Sequence, residues 1–470
     1  MEKPHRVMRR ENPVDIISEI QEIVGTKNVL LGDAVRDFDF AWKTYDSCDA
    51  RAIVCPGTTE QVAAVLRLCN EQNQTVVPFG GLTGLVQGCL TTPDDIALSL
   101  ARLNEIEEFD ATAHTMTVQA GVTMREAQEA ADAKGLFFPV DMGARANCML
   151  GGNVATNAGG TKVIRYGMMR DSVLGLEAVL ADGTVISSMN RYIKNNSGFD
   201  LKQLFIGTEG VLGIITRIVF RLSVRPKSHN VALLACDSFE DVIGVLNRSR
   251  DSLGGTLCGF EVMWGSFYRK AVKPVGRSDS PLPVDYPLYV IVETMGTSPE
   301  SDDRTFEAEM SALFDGELAL DGVIAKSDKE RNEIWAIRGE VEWLVSEAYN
   351  FDVSLRSADV GAYVADVTQR ITADVPDAYV AAFGHLGDNN IHISVLADGC
   401  RTTQARVIEK HVYESLIPFA GAISAEHGIG LEKKPFLSIS RSPAEIELMK
   451  TLKKSLDPKN ILNPGKVISV

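Results

Sequence analysis

Three glycine-rich segments between residues 78 and 215 constrain the fold of this chain more than any other feature. Pro78-Phe-Gly-Gly-Leu-Thr-Gly-Leu-Val-Gln-Gly88 follows the strand pattern Thr75-Val-Val, and Gly151-Gly-Asn-Val-Ala-Thr-Asn-Ala-Gly-Gly160 is almost wholly small and polar. The third, Asn195 to Ile215, leads from a loop through a helix into a strand. Upstream, Ala52-Ile-Val-Cys reads as a strand and Thr58-Thr-Glu-Gln61 as a capping box, so the first glycine loop closes a βαβ unit. Glycine reaches φ > 0 and carries no side chain, which lets backbone N–H groups approach a pyrophosphate. The loop is neither a Walker A motif nor a G-x-G-x-x-G fingerprint, and taken singly it is only a turn. The second segment is a poor core but a good wall against a flat polar ligand.

A second constellation lies towards the C-terminus. Seven histidines occur in the chain, and three stand at His385, His392 and His427, the last preceded by Glu426. Two imidazoles and a carboxylate suit a divalent cation with an open position, with a further imidazole beside it as base. His385 ends the apolar run Tyr379-Val-Ala-Ala-Phe383, Gly387-Asp-Asn-Asn390 reads as a turn, and His392-Ile-Ser-Val alternates. A hairpin therefore brings both rings together, with His392 and Ser394 on one face and Ile391 and Ile393 on the other. A lone His-x6-His is not a standard zinc signature and also reads as hydrogen-bonded turn histidines. Glu426-His427 between small residues shifts the reading towards a site.

The net charge of −16 argues against nucleic acid or an anionic membrane surface as the main partner, so an anionic substrate needs local positive groups. Eight scattered cysteines without a C-x-x-C pair read as thiols of a reducing compartment. With no secretory signal and no long apolar span, a cytoplasmic protein without a membrane span is expected. Residues 14–24 have helical spacing. From 226 to 420, strand patterns at 230–235 and 288–293 alternate with helices at 237–249 and 298–313, which suits an antiparallel sheet backed by helices.

Together with Arg165-Tyr-Gly, Leu174-Gly-Leu-Glu-Ala-Val-Leu-Ala-Asp-Gly183 and the ending Asp457-Pro-Lys-Asn-Ile-Leu-Asn-Pro-Gly-Lys466, the three glycine segments resemble the FAD-linked oxidases of the vanillyl-alcohol-oxidase type. Within them the chain is most similar to the D-2-hydroxyacid dehydrogenases, above all their D-2-hydroxyglutarate branch. The resemblance implies an α+β fold in which a two-part FAD-binding domain carries an inserted substrate domain. The FAD domain is expected over 1–225, with a helical lead-in at 1–49, the substrate domain over 226–420, and a returning C-terminal segment over 421–470. Pro78, Gly80, Gly81, Thr83 and Gly84 are implied at the pyrophosphate. Gly151, Gly152, Asn153, Thr156, Asn157, Gly159 and Ile214 are implied along the cofactor, and Asn463 near the flavin. No histidine stands in either glycine segment, so dissociable FAD is expected.

By the same resemblance His385, His392 and Glu426 are metal ligands, His427 the general base and Arg338 the clamp for the substrate carboxylate. Zn²⁺ is the favoured cation, with Mn²⁺, Co²⁺ and Fe²⁺ open. The implied reaction passes a hydride from a D-2-hydroxy acid to flavin N5 and leaves a 2-oxo acid. Hydroxyglutarate is the first expectation, with lactate, glycolate, malate and mandelate as alternatives. The chain departs from its branch around the substrate: Glu342 replaces a threonine, Asn350 a lysine and Ser394 an asparagine, with Asn390 in the same pocket. Arg356 is expected to compensate for the lost cation. A protein or quinone acceptor, direct use of oxygen and a homodimeric assembly stay open. A metal-dependent hydrolase is the remote alternative, and it leaves the glycine segments unexplained.

Overall fold

Short apolar strands at Ala52–Val54, Val76–Phe79 and Ile96–Ser99 are buried on both faces, which suits a parallel sheet. The computed structural model describes residues 15–38, 48–272, 280–339 and 342–470. It places Ile96–Ser99 between the other two strands, parallel to both, with Val29–Leu30 antiparallel at the edge. The two strands of the expected βαβ unit are thus separated by a third. Their connecting helix, Thr59–Gln72, starts where Thr58 Oγ accepts the Gln61 N–H at 3.2 Å. The lead-in helix is Ile16–Val24, and its Ile16, Ile17, Ile20 and Val24 pack into the same core. Of the lead-in, residues 1–14 and 39–47 lie outside the described residues.

A five-stranded antiparallel sheet follows, in the order Ile106–Asp110, Thr115–Gln119, Ile214–Arg221, Val173–Val179, Val185–Ser188. The second glycine segment forms the helix Leu150–Ala155 and the turn after it. In the third segment the helix is a single 3₁₀ turn, Leu201–Leu204, ahead of the strand Ile214–Arg221.

The second half builds a seven-stranded sheet in which every pairing is antiparallel. Its order is Asp321–Ile324, Ser228–Cys236, Leu288–Gly296, Leu257–Trp264, Tyr379–Gly384, Asn390–Leu396, Tyr349–Ser354. Helices Phe239–Leu253, Pro299–Asp315 and Val360–Asp374 pack their apolar faces on it. The fold is α+β.

The chain end then returns to the first sheet. Val76 donates its N–H to Ile461 O and accepts the Asn463 N–H on its own carbonyl, both at 2.8 Å. Lys453, 2% exposed, holds this return by binding Asp457, Val211 O and Leu462 O. No helix among the described residues is long and apolar enough to cross a membrane.

Candidate active site

A cavity of about 470 Å³ runs between the glycine segments and the seven-stranded sheet. One end is backbone and small side chains. A Cβ added at Gly84, Gly143 or Gly152 would meet no atom within 4 Å, so these glycines present bare backbone to open space. Gly81 is required for packing instead, since its Cβ would fall 2.1 Å from Asn147 O. Asn463 stands in the same wall with its Nδ2 donated to Glu209 O at 2.8 Å and its Oδ1, although buried, without a partner.

The other end gathers the imidazoles. The hairpin is present: His385 follows Tyr379–Gly384, a 3₁₀ turn reverses the chain, and Asn390–Leu396 returns antiparallel. His392 and Ser394 face the cavity, while Ile391 and Ile393 are fully buried in the opposite core. One nitrogen each of His385 and His392 and one Glu426 oxygen lie within 4.8 Å of one another. His427 stacks near His392, with ring centroids 6.0 Å apart. Glu426 is seated in this cluster against the second glycine segment. Gly160 N–H donates to its Oε1 at 2.7 Å, and a Cβ on Gly159 would sit 2.7 Å from that oxygen.

Buried carboxylates orient the site from behind. Glu261, on Leu257–Trp264, accepts from Arg338 Nε at 2.7 Å and pairs with His385 Nδ1 at 2.6 Å, so His385 Nε2 is the ring nitrogen turned away from it, with Arg338 Nη2 3.5 Å from that atom. Burial favours its neutral acid, but His385 and Arg338 outweigh burial and bring the carboxyl to about 2. Burial likewise opposes charge on His385, and Glu261 outweighs it and lifts the ring to about 9. Burial, reinforced by His385 and Arg338, holds His392 well below the usual imidazole range, so it is a neutral donor.

Asp352, wholly buried on Tyr349–Ser354, accepts the N–H groups of Ala425, Glu426 and His427 on one oxygen. Its other oxygen pairs with His427 Nδ1 at 3.0 Å and with Lys433. Burial raises its carboxyl, but His427 and Lys433 prevail and hold it well below the carboxylate range.

Residues 225–467 match the family model of the FAD linked oxidases, C-terminal domain, and residues 50–188 match an FAD binding domain. The chain belongs to the FAD-linked oxidases. A mitochondrial D-2-hydroxyglutarate dehydrogenase of Bos taurus is 35% identical, over 99% of this chain and 86% of its own length. A putative mitochondrial D-lactate dehydrogenase of Schizosaccharomyces pombe is 37% identical, over 92% of this chain and 84% of its own. D-2-hydroxyglutarate dehydrogenase of Stutzerimonas stutzeri is 34% identical, over 97% and 99%. In fold it resembles p-cresol methylhydroxylase with substrate bound, at TM-score 0.77 and 17% identity over 97% of this chain and 96% of that one. As a member of this family it is an FAD-dependent dehydrogenase of D-2-hydroxy acids. The bare glycines and the orphaned Asn463 oxygen are what an FAD-linked oxidase needs, since flavin and pyrophosphate present donors and anionic oxygens to such a wall.

Most residues expected at the cofactor line the cavity: Pro78, Gly80, Gly81, Thr83, Gly84, Gly151, Gly152, Asn153, Thr156, Gly159, Ile214 and Asn463. Asn157 does not, because its φ of 51° turns the amide away to the Arg170 N–H and Met168. Arg338, Asn350 and Ser394 line the substrate end. Arg356 does not compensate there: it is exposed and its Nε binds Asp359 at 2.6 Å on the outer surface. Asn390 is buried at the far end of its strand, opposite Ser354, and does not reach the cavity. Glu342 begins the helix Glu342–Glu347, and its side chain lies outside the described residues.

The sequence reading missed Glu261, Asp352 and Glu209, the last of which accepts from the Ile429 and Gly430 N–H groups beside Asn463. Their signal is a carboxylate inside an apolar strand or a glycine turn, since such a group is buried only with partners.

Proposed function

We propose that a divalent cation, zinc first, is held by His385, His392 and Glu426, and that the enzyme oxidises its D-2-hydroxy acid there with His427 as base. One observation carries this reading: three ligand atoms within 4.8 Å of one another in the wall of the FAD cavity, beside a histidine whose Nδ1 is already held. Neutral His392, His385 backed by Glu261, and Glu426 backed by Gly160 make an N,N,O donor set suited to zinc. A cation there would supply Lewis acidity that lowers the pKa of the substrate hydroxyl. Bound FAD would supply the hydride acceptor.

The rest is done by side chains. Arg338, packed over the Phe383 ring at 4.6 Å, takes the carboxylate and sets the orientation of the hydroxyl. Asp352 holds Nδ1 of His427, so Nε2 faces the cavity as the atom that accepts the hydroxyl proton. The apolar Trp335, Leu344, Phe351 and Phe383 exclude water while the hydride leaves.

Elemental analysis and chelation test the cation. Purified protein should carry one divalent metal per chain, and its removal should stop bleaching of the flavin by D-2-hydroxy acids until zinc is restored. Unchanged bleaching in metal-free protein would sink the assignment.

A further inference from the structure

The substrate end of the cavity contains one guanidinium and no ammonium group among the described lining residues. Arg338 is 7% exposed and already faces a carboxylate, since its Nε donates to Glu261, itself 1% exposed. Its Nη2 also stands 3.5 Å from His385 Nε2, so what remains of the guanidinium serves at most one substrate carboxylate. The neighbouring buried lysines are committed elsewhere, Lys162 to Glu293 and Lys433 to Asp352, and neither lines the cavity.

Beyond Arg338 the wall is Trp335, Leu344, Asn350, Phe351, Phe383 and Ser394. Its polar members are closed on one another or on the fold. Ser394 Oγ donates to Asn350 Oδ1 at 2.7 Å, and Asn350 Nδ2 donates to Leu344 O at 2.7 Å and Ala348 O at 3.2 Å. Trp335 Nε1 donates to Glu293 Oε1 at 3.1 Å. Each of these donors is used, and what Ser394 still offers is oxygen lone pairs, which repel an anion.

We propose that this neutral wall selects D-2-hydroxy monocarboxylates with an uncharged, apolar side chain and discriminates against the dicarboxylates 2-hydroxyglutarate and malate. The proposal rests on the D-2-hydroxyacid reading of the site and names its substrate class. A second carboxylate would be stripped of water among Leu344, Phe351 and Phe383, and the described residues of that wall offer it no cation and no free donor, which is costly. An alkyl side chain meets the same wall with its own kind. The expectation of hydroxyglutarate therefore gives way to a monocarboxylate.

The test is anaerobic flavin bleaching of the holoenzyme by D-lactate, D-2-hydroxybutyrate, D-2-hydroxyisovalerate, D-malate and D-2-hydroxyglutarate, each over a concentration series. At least one monocarboxylate should exceed both dicarboxylates in bleaching efficiency by roughly ten-fold or more, the discrimination that an unpaired buried polar group supports. D-2-hydroxyglutarate or D-malate as the best substrate would overturn the proposal while leaving the D-2-hydroxyacid reading intact. If no D-2-hydroxy acid bleaches the flavin, the underlying reading fails and the proposal falls with it. Asn350→Lys, purified with its flavin, should move the efficiency ratio towards the dicarboxylates. An unmoved ratio would show that this wall is not the discriminator. If that variant does not fold, the wild-type ranking alone decides.

Discussion

His427 is held from two directions, by Asp352 at Nδ1 and by its own backbone N–H donated to the same carboxylate. That arrangement fixes the tautomer and the ring plane together, and it leaves proton transfer as the task of one atom. His427→Ala should therefore retain FAD and metal and lose flavin reduction by about 10²–10⁴-fold, the usual worth of a positioned base. Stopped-flow bleaching with a metal and flavin assay on the same sample checks this, and rapid reduction by the variant would remove His427 from the role. At this scale the sequence was legible where spacing was informative. The histidines announced themselves and Arg338 came from the family resemblance, but nothing in the local pattern shows that Arg356 points outward to Asp359 or that Glu261 lies behind His385. Those are contacts across 124 residues in one case and a choice of surface in the other.

At the level of elements, the glycine segments do two different jobs. Gly84 and Gly152 leave room for a cofactor, while Gly81 lets two pieces of backbone meet. Gly84→Ala and Gly152→Ala should fold with little change in apo-protein melting temperature and bind FAD more weakly. Gly81→Ala should destabilise the apo-protein itself, by roughly 1–3 kcal/mol as an overpacked site. Melting curves of apo-protein together with flavin titrations separate the two classes; equal loss of apo stability in all three would refute the distinction. The hairpin at 379–396 was readable because strand alternation has a period of two and must bury one face. The third segment is expected to pass from a loop through a helix into a strand; the strand is present, and in place of the helix the structure gives a single 3₁₀ turn. Its apolar spacing serves packing under the five-stranded sheet rather than helix propagation.

Across the whole molecule, the two halves are joined by buried charge. Lys162, just past the second glycine segment, binds Glu293 in the centre of the seven-stranded sheet, and His229 and Trp335 bind the same carboxylate. Burial raises the Glu293 carboxyl, but Lys162 and His229 outweigh it and hold it below the ordinary carboxylate range. A depressed folded-state value means that the unfolded chain takes up the proton first as pH falls. This contribution is thus complete above the ordinary carboxylate range and is lost as pH drops through the folded value. Glu293→Gln should lower stability at neutral pH by about 3–5 kcal/mol, because buried Lys162 loses its partner. It should also flatten the acid limb. Urea unfolding at a series of pH values reads both, and an acid limb identical to wild type would rule out Glu293 as its source.

The sequence by itself determined the cofactor wall, the hairpin of histidines and the family, because bare backbone, a two-residue period and rare residue types are local properties. Tertiary structure alone decided which carboxylates stand behind His385 and His427. It alone brings Glu426 onto the second glycine segment and closes Asn350 on Ser394. Those contacts join strands far apart in the chain, and a buried charge or amide takes its role from the partners that burial leaves it.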